Sequence, residues 1–490
     1  MRESGILLPV FSLPSKYGIG CFSVEAYDFI RKLKEAGQKK WQVLPLGPTG
    51  FGDSPYQSFS TFAGNPYFID LGPLMDEGLI TGEECDALDF GDRKDWIDYE
   101  KMYHSRFKIL DLAHKRFEKN EEYKSFVTEN NWWLEDYALF MALKDKHKGA
   151  SWDRWDSPYK NREKEAIDKA KEELKEQMES YQFQQFYFTR QWQSLRRYAN
   201  ENGIEIIGDI PIYVAFDSAD TWANPECFEF DENKEPIHVA GCPPDYFSEG
   251  GQLWGNPLYN WDYHKETGYQ WWFKRMDYTF TLFDVVRIDH FRGFDEYYSI
   301  PYGRKDAKVG EWLPGPGIQF FNALKEELGE QRIIAEDLGL LTDSVMEMLE
   351  ESGYPGMKVL QFAFDSQWDN NYLPHTYHHN CVVYTGTHDN ETTKGWMEGV
   401  PEEIRNTITE YLGREDLFEQ PEGSWEFIRM AMSSVADLCI IPLGDYLSLG
   451  NEARMNTPST LGGNWSWRLE DQFTPEVVEK IRRMTELYGR

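Results

Sequence analysis

The sequence predicts an α/β protein built as a (β/α)8 TIM barrel, and three observations lead to that prediction. Eight short apolar segments, rich in β-branched residues, recur along a chain of 490 residues. Most of them are separated by segments with helical spacing, which favours parallel strands joined by helices. Eight is also the number of strands in such a barrel. Stretches without a strand pattern are expected to be large, mostly helical and loop insertions near the face where barrel enzymes carry their active sites.

The strand candidates share short apolar runs bounded by turn residues. They are Gly5–Val10, Trp41–Leu46, Ile204–Val214, Asp284–Gly293, Arg332–Glu336, Met357–Phe364, Cys381–Thr385 and Leu438–Leu443. A helix is expected from the N-cap Ser23 to Ala36, with Gly37 as its stop. Another is expected over Trp271–Phe283, directly before the fourth strand.

The chain is expected to form a single catalytic barrel over residues 1–490, with two insertions. The first, over about 47–200, begins as loops rich in Pro, Gly and small polar residues and continues as charged helices. Within it, Lys160–Glu179 is dominated by Lys and Glu, which is typical of an exposed helix face. The second, over about 215–262, contains Phe216–Tyr259, which is expected to be a long irregular segment beside the active site.

Composition excludes several classes of partner. The net charge of −33 disfavours a nucleic acid or an anionic membrane, because binders of phosphate gather positive charge. The 6 cysteines have no Cys-x-x-Cys spacing, which suits a reducing compartment. The amino terminus lacks the apolar core of a signal peptide, so a cytoplasmic protein is expected. Aromatic residues make up 16% of the chain, which fits either a large core or a sugar-binding cleft.

Carboxylates follow three of the predicted strands. Asp289 and Glu336 lie at the ends of their strands, and Asp389 lies shortly after another. In a barrel the carboxyl ends of strands that are distant in sequence converge on one face. Cleaving a glycosidic bond requires one carboxylic acid to protonate the leaving oxygen and one carboxylate to act as nucleophile or base. Arg287 points the same way as Asp289 along a strand and is expected to keep that aspartate ionised.

Two other interpretations of these carboxylates remain open at this point. A strand can simply lead into a charged surface loop. Carboxylates also bind Mg²⁺ or Ca²⁺, and His388 with Asp389 is able to ligate a transition metal. No His-x-x-x-His or EF-hand spacing accompanies these residues, however, and the Gly250-Gly pair is too weak a signal for a phosphate site. The residues therefore favour acid–base chemistry.

Seven blocks along nearly the whole chain match one known family, in that family's order. They are Ser54-Pro-Tyr-Gln-Ser with Ala63-Gly-Asn-Pro, Gly208-Asp-Ile-Pro-Ile-Tyr-Val-Ala with Asp217-Ser-Ala-Asp, Pro243-Pro-Asp-Tyr-Phe with Gly251-Gln-Leu-Trp-Gly-Asn-Pro, Arg287-Ile-Asp-His-Phe-Arg-Gly, Ala335-Glu-Asp-Leu-Gly, Gly386-Thr-His-Asp-Asn-Glu-Thr and Leu461-Gly-Gly-Asn-Trp. On these blocks the chain resembles the amylomaltases, bacterial 4-α-glucanotransferases related to the α-amylases.

The resemblance implies a retaining barrel enzyme that transfers α-1,4-glucan segments through a covalent glucosyl-enzyme, without a metal or other cofactor. Position by position, Asp289 matches the family's nucleophile, Glu336 its general acid/base and Asp389 its transition-state stabiliser. The substrate-binding positions that it implies are Tyr56, Asp209, Gln252, Trp254, Arg287, His290, His388 and Asn464. The expected partners are glucan donors and acceptors, namely maltooligosaccharides, amylose, and glucose as an acceptor.

Two rival functions differ from transfer in ways that an assay detects. A plain α-1,4-glucan hydrolase would admit water where a transferase keeps it out. A catalytically dead glucan-binding protein would bind without forming product, and the intact carboxylates argue against it. Loops around Tyr56 and around Gly250–Trp254 are expected to cover the cleft, since both carry aromatic residues and glycines that permit movement.

Overall fold

The structure is a computed structural model that describes residues 2–50, 52–244, 249–339, 341–364 and 370–490. The Asp-Tyr-Phe part of the block that starts at Pro243 lies outside the described residues.

A closed barrel of eight parallel strands forms the centre of the molecule, which confirms the predicted fold. In chain order the strands are β1 (Glu3–Leu7), β2 (Lys40–Gln42), β3 (Glu205–Pro211), β4 (Val285–Asp289), β5 (Ile333–Ala335), β6 (Gly356–Val359), β7 (Cys381–Tyr384) and β8 (Leu438–Pro442). Each strand pairs with the next one along the chain, and β8 closes the barrel against β1. All their carboxyl ends therefore meet at one rim.

Several strands end earlier than the apolar runs indicate, and in two of them a proline accounts for the difference. The run Gly5–Val10 contains Pro9, and β1 stops at Leu7. In the same way Trp41–Leu46 contains Pro45, and β2 stops at Gln42. Proline has no N–H to donate to a neighbouring strand, so the ladder ends before it and the chain continues as a loop at the rim.

Helices surround the barrel and fill the first insertion. The helices outside that insertion are Val24–Glu35, Ala219–Ala223, Trp261–Glu266, Gln270–Leu282, Ile318–Leu328, Asp343–Ser352, Thr393–Gly399, Glu402–Leu412, Ser424–Ser433, Leu443–Tyr446 and Pro475–Tyr488. Those within it are Leu71–Asp76, Gly82–Asp86, Tyr99–Arg116, Glu121–Lys146, Ser157–Lys160, Lys164–Glu173 and Lys175–Glu201. Short 3₁₀ turns lie at Val10–Ser12, Pro66–Phe68, Trp152–Arg154, Pro225–Cys227, Phe291–Phe294, Leu360–Phe362, Pro374–Thr376, Leu417–Glu419 and Asn451–Ala453.

The two helices predicted nearest the barrel form close to their expected bounds. The first begins after Ser23 and ends before Gly37, whose φ of 74° is the left-handed conformation that glycine adopts at helix ends. The second spans Gln270–Leu282 and leads directly into β4. No described helix is both long enough and apolar enough to span a bilayer.

Four further strands form an antiparallel sheet separate from the barrel. Their order is Gln252–Pro257, His238–Cys242, Glu296–Pro301 and Glu311–Pro314. The expectation of an irregular segment over Phe216–Tyr259 is therefore wrong, because the first two strands lie within it. Their Gly, Asn and Pro residues have low β propensity. One of the two pairing partners of His238–Cys242, the strand Glu296–Pro301, lies far along the chain. A local pattern does not reveal such a strand.

Candidate active site

The register between β3 and β4 brings the first part of the site together. It places Asp209 opposite Arg287 and Pro211 opposite Asp289. The Arg287 Nη1 lies 2.8 Å from both carboxylate oxygens of Asp209 and 3.0 Å from Oδ1 of Asp289. The Arg287 side chain is only 4% exposed, so the guanidinium is a buried positive charge shared by two aspartates. Its positive charge offsets the repulsion between the two carboxylates.

Tyr56 connects this group to the seventh strand end. Its hydroxyl donates a hydrogen bond of 2.7 Å to Oδ2 of Asp209 and lies 3.4 Å from Nδ1 of His388. The two rings are stacked, with centroids 5.0 Å apart and planes at 20°. Burial, reinforced by the charge of Asp209, raises the pKa of Tyr56 well above its ordinary value. The phenol therefore stays protonated, and these contacts seat the predicted covering loop on the barrel.

Asp389 is held by its neighbour and by the loop that follows β8. His388 Nε2 lies 3.4 Å from Oδ2 of Asp389. Asn456 donates a hydrogen bond of 2.6 Å to Oδ1, and Arg454 donates one of 3.0 Å to the backbone carbonyl of Asp389. Asn456 and Arg454 are not among the site residues predicted from the sequence. Their only sequence signal is their position in the loop after the last strand, which a barrel also places at the rim.

Glu336 follows directly after β5 and is held by backbone groups. Its Oε2 accepts a hydrogen bond of 2.6 Å from the N–H of His290, and its Oε1 accepts one of 3.0 Å from the N–H of Leu338. Burial, together with the nearby charge of Asp289, raises the pKa of Glu336 to about 7. The carboxyl group is thus divided between its acid and base forms near neutral pH, which suits a group that must first give and then take a proton.

His290 and Trp254 form the wall beside Asp289. The backbone of His290 is left-handed, with φ of 55°, and its ring meets the Trp254 ring edge-to-face at 4.9 Å. Burial lowers the pKa of His290 to about 4, so its imidazole is neutral at physiological pH. Its Nε2 is buried with no hydrogen-bond partner among the described residues. Trp254 in turn donates a hydrogen bond of 3.1 Å to the side chain of Gln252.

Asn464 holds its own loop together. Its side-chain oxygen accepts a hydrogen bond of 3.0 Å from the N–H of Thr457, and its amide group donates to the carbonyl and hydroxyl oxygens of Thr460. Thr457 follows Asn456, which binds Asp389, so Asn464 reaches the carboxylates through the loop. Its direct role in binding substrate stays a prediction.

Together these contacts link the three predicted carboxyl groups. The links run from Asp389 through His388, Tyr56, Asp209 and Arg287 to Asp289, and the backbone of His290 then joins Glu336. Within the described residues, no group of three or more His, Cys, Asp or Glu side chains has an arrangement that could hold a metal ion. The arrangement instead offers two carboxyl groups in different environments, one paired with a cation and one with a pKa raised toward neutrality.

The raised pKa of Glu336 makes a testable contribution to folding stability. A glutamate whose pKa rises from 4.5 to about 7 contributes stability that is fully present below pH 4.5 and is lost as the pH rises through 7. Replacing it by Gln removes this dependence. The unfolding free energy of Glu336→Gln minus that of the parent is therefore expected to rise by about 3 kcal/mol between pH 4.5 and pH 8.

Denaturant unfolding of both proteins across that pH range measures the difference. The Gln amide also disturbs one of the two backbone hydrogen bonds, but that effect does not depend on pH and cancels from the slope. A difference that stays constant with pH would show that Glu336 titrates normally.

The fold and the two carboxyl environments define a class: a (β/α)8-barrel enzyme with the acid and nucleophile that glycosidic-bond chemistry uses. Residues 8–474 match the model of a family described as 4-alpha-glucanotransferase. The chain belongs to this family of 4-α-glucanotransferases, which are also called amylomaltases.

Relatives support the same assignment over the whole chain. The 4-alpha-glucanotransferase of Clostridium butyricum is 50% identical over 98% of this chain and 99% of its own. That of Thermus thermophilus is 47% identical over 100% of this chain and 99% of its own. Among solved structures, the amylomaltase of Streptococcus agalactiae in complex with acarbose has a TM-score of 0.96 at 39% identity and covers 100% of both chains.

Proposed function

We propose that this chain transfers segments of α-1,4-glucan from donor to acceptor by a retaining double displacement. Maltooligosaccharides and starch-like chains serve as donors, and the 4-hydroxyl of another glucan or of glucose serves as acceptor. The names of its relatives and the acarbose complex of the amylomaltase from Streptococcus agalactiae support the substrate class. The observation that carries the mechanism is the contrast between Asp289, paired with Arg287, and Glu336, whose pKa is about 7.

In the first step Asp289 attacks the anomeric carbon of the donor. The bond from that carbon to the glycosidic oxygen breaks, and the proton of Glu336 passes to the departing oxygen. A covalent glucosyl-enzyme and a shortened glucan result. In the second step Glu336, now a carboxylate, takes the proton of the incoming 4-hydroxyl, whose oxygen attacks the anomeric carbon. The bond from that carbon to Asp289 breaks as the new α-1,4 bond forms, and the Asp289 carboxylate is restored. Glu336 thus acts as acid and as base, which a pKa near neutrality permits.

The surrounding residues orient the sugar in this proposal. Asp389 stabilises the positive charge that develops on the ring, and its hydrogen bond with Asn456 keeps it in place. His388 and His290 bind sugar hydroxyls through their ring nitrogens, which donate and accept hydrogen bonds. The Nε2 of His290, which has no hydrogen-bond partner in the described part of the chain, is available for such a hydroxyl. The insertions over 47–200 and 215–262 supply the walls of the cleft.

Transfer rather than hydrolysis depends on keeping water from the glucosyl-enzyme. Trp254, with its ring against His290, covers the space beside Asp289. Replacing Trp254 by Ala is expected to raise the share of hydrolysis several-fold, because water then reaches the anomeric carbon. Product ladders from maltotriose, with the total of reducing ends, give the ratio of transfer to hydrolysis. An unchanged ratio would remove the water-excluding role from this residue.

The experiment that tests the function is incubation of the purified protein with maltotriose. Products are resolved by chain length while total reducing ends are followed. Glucose plus a ladder of longer chains at constant reducing ends is the expected result. Rising reducing ends with shorter chains alone would indicate a hydrolase, and an unchanged substrate would indicate a binding protein. We also propose a cytoplasmic location, since the six cysteines are scattered along the chain without Cys-x-x-Cys spacing, which suits a reducing compartment.

A further inference from the structure

A cavity of about 220 Å³ lies between the first insertion and the barrel. Its walls come from the long helix Glu121–Lys146, from the stretch that starts at Ala219, and from the first turn of the helix Gln270–Leu282. The loop that carries Tyr56 contributes Ser60 and Phe62. The residues that line this cavity do not include any of the three proposed catalytic carboxylates. It is therefore a place distinct from the cleft.

Aromatic side chains form a large part of the wall. Phe62 meets Trp132 edge-to-face at 4.8 Å and Trp271 edge-to-face at 6.4 Å. Trp132 is 46% exposed, although tryptophan is mostly buried in folded proteins. Flat aromatic rings cover the apolar C–H faces of sugar rings while leaving the hydroxyl groups at the edge. An exposed Trp at the edge of a cavity suits that type of contact.

Polar groups line the same cavity. Asn224, Thr267 and Gln270 supply donors and acceptors that suit neutral hydroxyl groups. The indole N–H of Trp271 is buried and has no acceptor in the part of the chain that the structure describes. A buried donor without an acceptor is unfavourable, so a ligand hydroxyl that accepts from it gains affinity.

The charges around the cavity favour a neutral ligand. Asp136 is paired with Arg162 at 2.6 Å, and Asp220 accepts a hydrogen bond of 2.8 Å from the N–H of Thr61. Burial raises the pKa of Asp220 to about 6, which further reduces its negative charge. Glu226 and Lys274 add one negative and one positive charge to the wall, and these offset each other. An organic cation thus finds two aspartates that are already satisfied and a nearby lysine, while an anion would meet three carboxylates.

We propose that this cavity is a second glucan site, which holds part of an α-1,4-glucan outside the catalytic cleft. The inference rests on the proposed substrate class. The helix Gln270–Leu282 ends next to the start of β4, so its first turn lies toward the carboxyl rim of the barrel. Ser60 and Phe62, which line the cavity, follow Tyr56 closely in sequence, so the cavity adjoins the loop that carries Tyr56. A long chain bound here is held on the catalytic side of the molecule, which favours long donors over short ones.

Binding of maltoheptaose to the slow variant Asp289→Asn tests the site without turnover. Calorimetry is expected to find two maltoheptaose molecules per chain. Adding Trp132→Ala is expected to weaken one of these binding events by about tenfold or more, because the apolar face of the bound sugar loses its contact with the indole ring. Adding Trp271→Phe keeps an aromatic ring at this position but removes the indole N–H that would donate to a ligand hydroxyl. The same binding event is then expected to weaken about five-fold.

Tyr302→Ala is the matched control, since Tyr302 is 50% exposed and does not line the cavity. It is expected to leave both binding events unchanged. One maltoheptaose per chain, or two with affinities that Trp132→Ala and Trp271→Phe leave unchanged, would overturn the proposal. Binding of tetramethylammonium instead of maltoheptaose at the cavity would overturn it too.

Kinetics separate this inference from the proposed function. In the otherwise unchanged enzyme, Trp132→Ala is expected to raise KM for amylose about five- to ten-fold and to leave kcat/KM for maltotriose unchanged. An unchanged KM for amylose, together with normal transfer from maltotriose, would contradict the second site alone. Absence of transfer with two intact maltoheptaose sites would contradict the proposed function alone.

Discussion

Replacing Asp289 by Asn is expected to lower kcat for transfer from maltotriose by roughly 10⁴-fold or more. The amide of Asn is too weak a nucleophile to attack the anomeric carbon, so the glucosyl-enzyme does not form. The fold is expected to survive, because the Arg287 guanidinium keeps both hydrogen bonds with Asp209. Chain-length analysis of the products measures the rate, and thermal unfolding checks the fold.

Asp284 offers a matched control on the opposite end of the same strand. It precedes β4, is ion-paired with Arg196 at 2.7 Å, and accepts a hydrogen bond of 2.8 Å from the N–H of Ile206. Asp284→Asn is expected to cost about 1–3 kcal/mol of stability and to leave kcat nearly unchanged. If Asp284→Asn lowered kcat as much as Asp289→Asn, the loss would reflect damage to the strand and not a missing nucleophile.

The barrel could be predicted because its signals are local. Most of the barrel strands are buried on both faces, and several read as continuous apolar runs, as in Ile333–Ala335 and Cys381–Tyr384. The convergence of Asp289, Glu336 and Asp389 then follows from topology, since all parallel strands end at one rim. Their individual roles came from the resemblance to a family, because three carboxylates at a rim do not by themselves distinguish a nucleophile from an acid or a metal ligand.

The features that the sequence did not reveal depend on contacts between distant segments. Asn456 lies in a loop without any periodic pattern, and its importance is visible only through its bond with Asp389. The pKa of Glu336 depends on burial by residues from other strands and on the charge of Asp289. The strand His238–Cys242 contains Gly and pairs with Glu296–Pro301, which lies more than 50 residues further along the chain. Pairings and burial of this kind are settled by the tertiary fold.

Glu336→Ala is expected to have the second large effect, and the effect depends on the donor. With maltotriose, kcat is expected to fall by roughly 10²- to 10⁴-fold, because the departing glucan oxygen receives no proton. With α-maltosyl fluoride the first step needs no acid, since fluoride leaves as an anion, so a covalent maltosyl-enzyme still forms. It then accumulates, because no base activates the acceptor hydroxyl.

Azide tests the second half of this account, because it is a nucleophile that needs no general base. Added azide is expected to attack the anomeric carbon of the intermediate and displace Asp289, which releases the maltosyl group as an azide of retained configuration and restores turnover with α-maltosyl fluoride. The alkaline decline in kcat/KM of the parent, which is expected as the pH rises through about 7, is expected to be absent in the variant. Equal losses on both donors, without rescue by azide, would mean that Glu336 positions the sugar and that another group moves the proton.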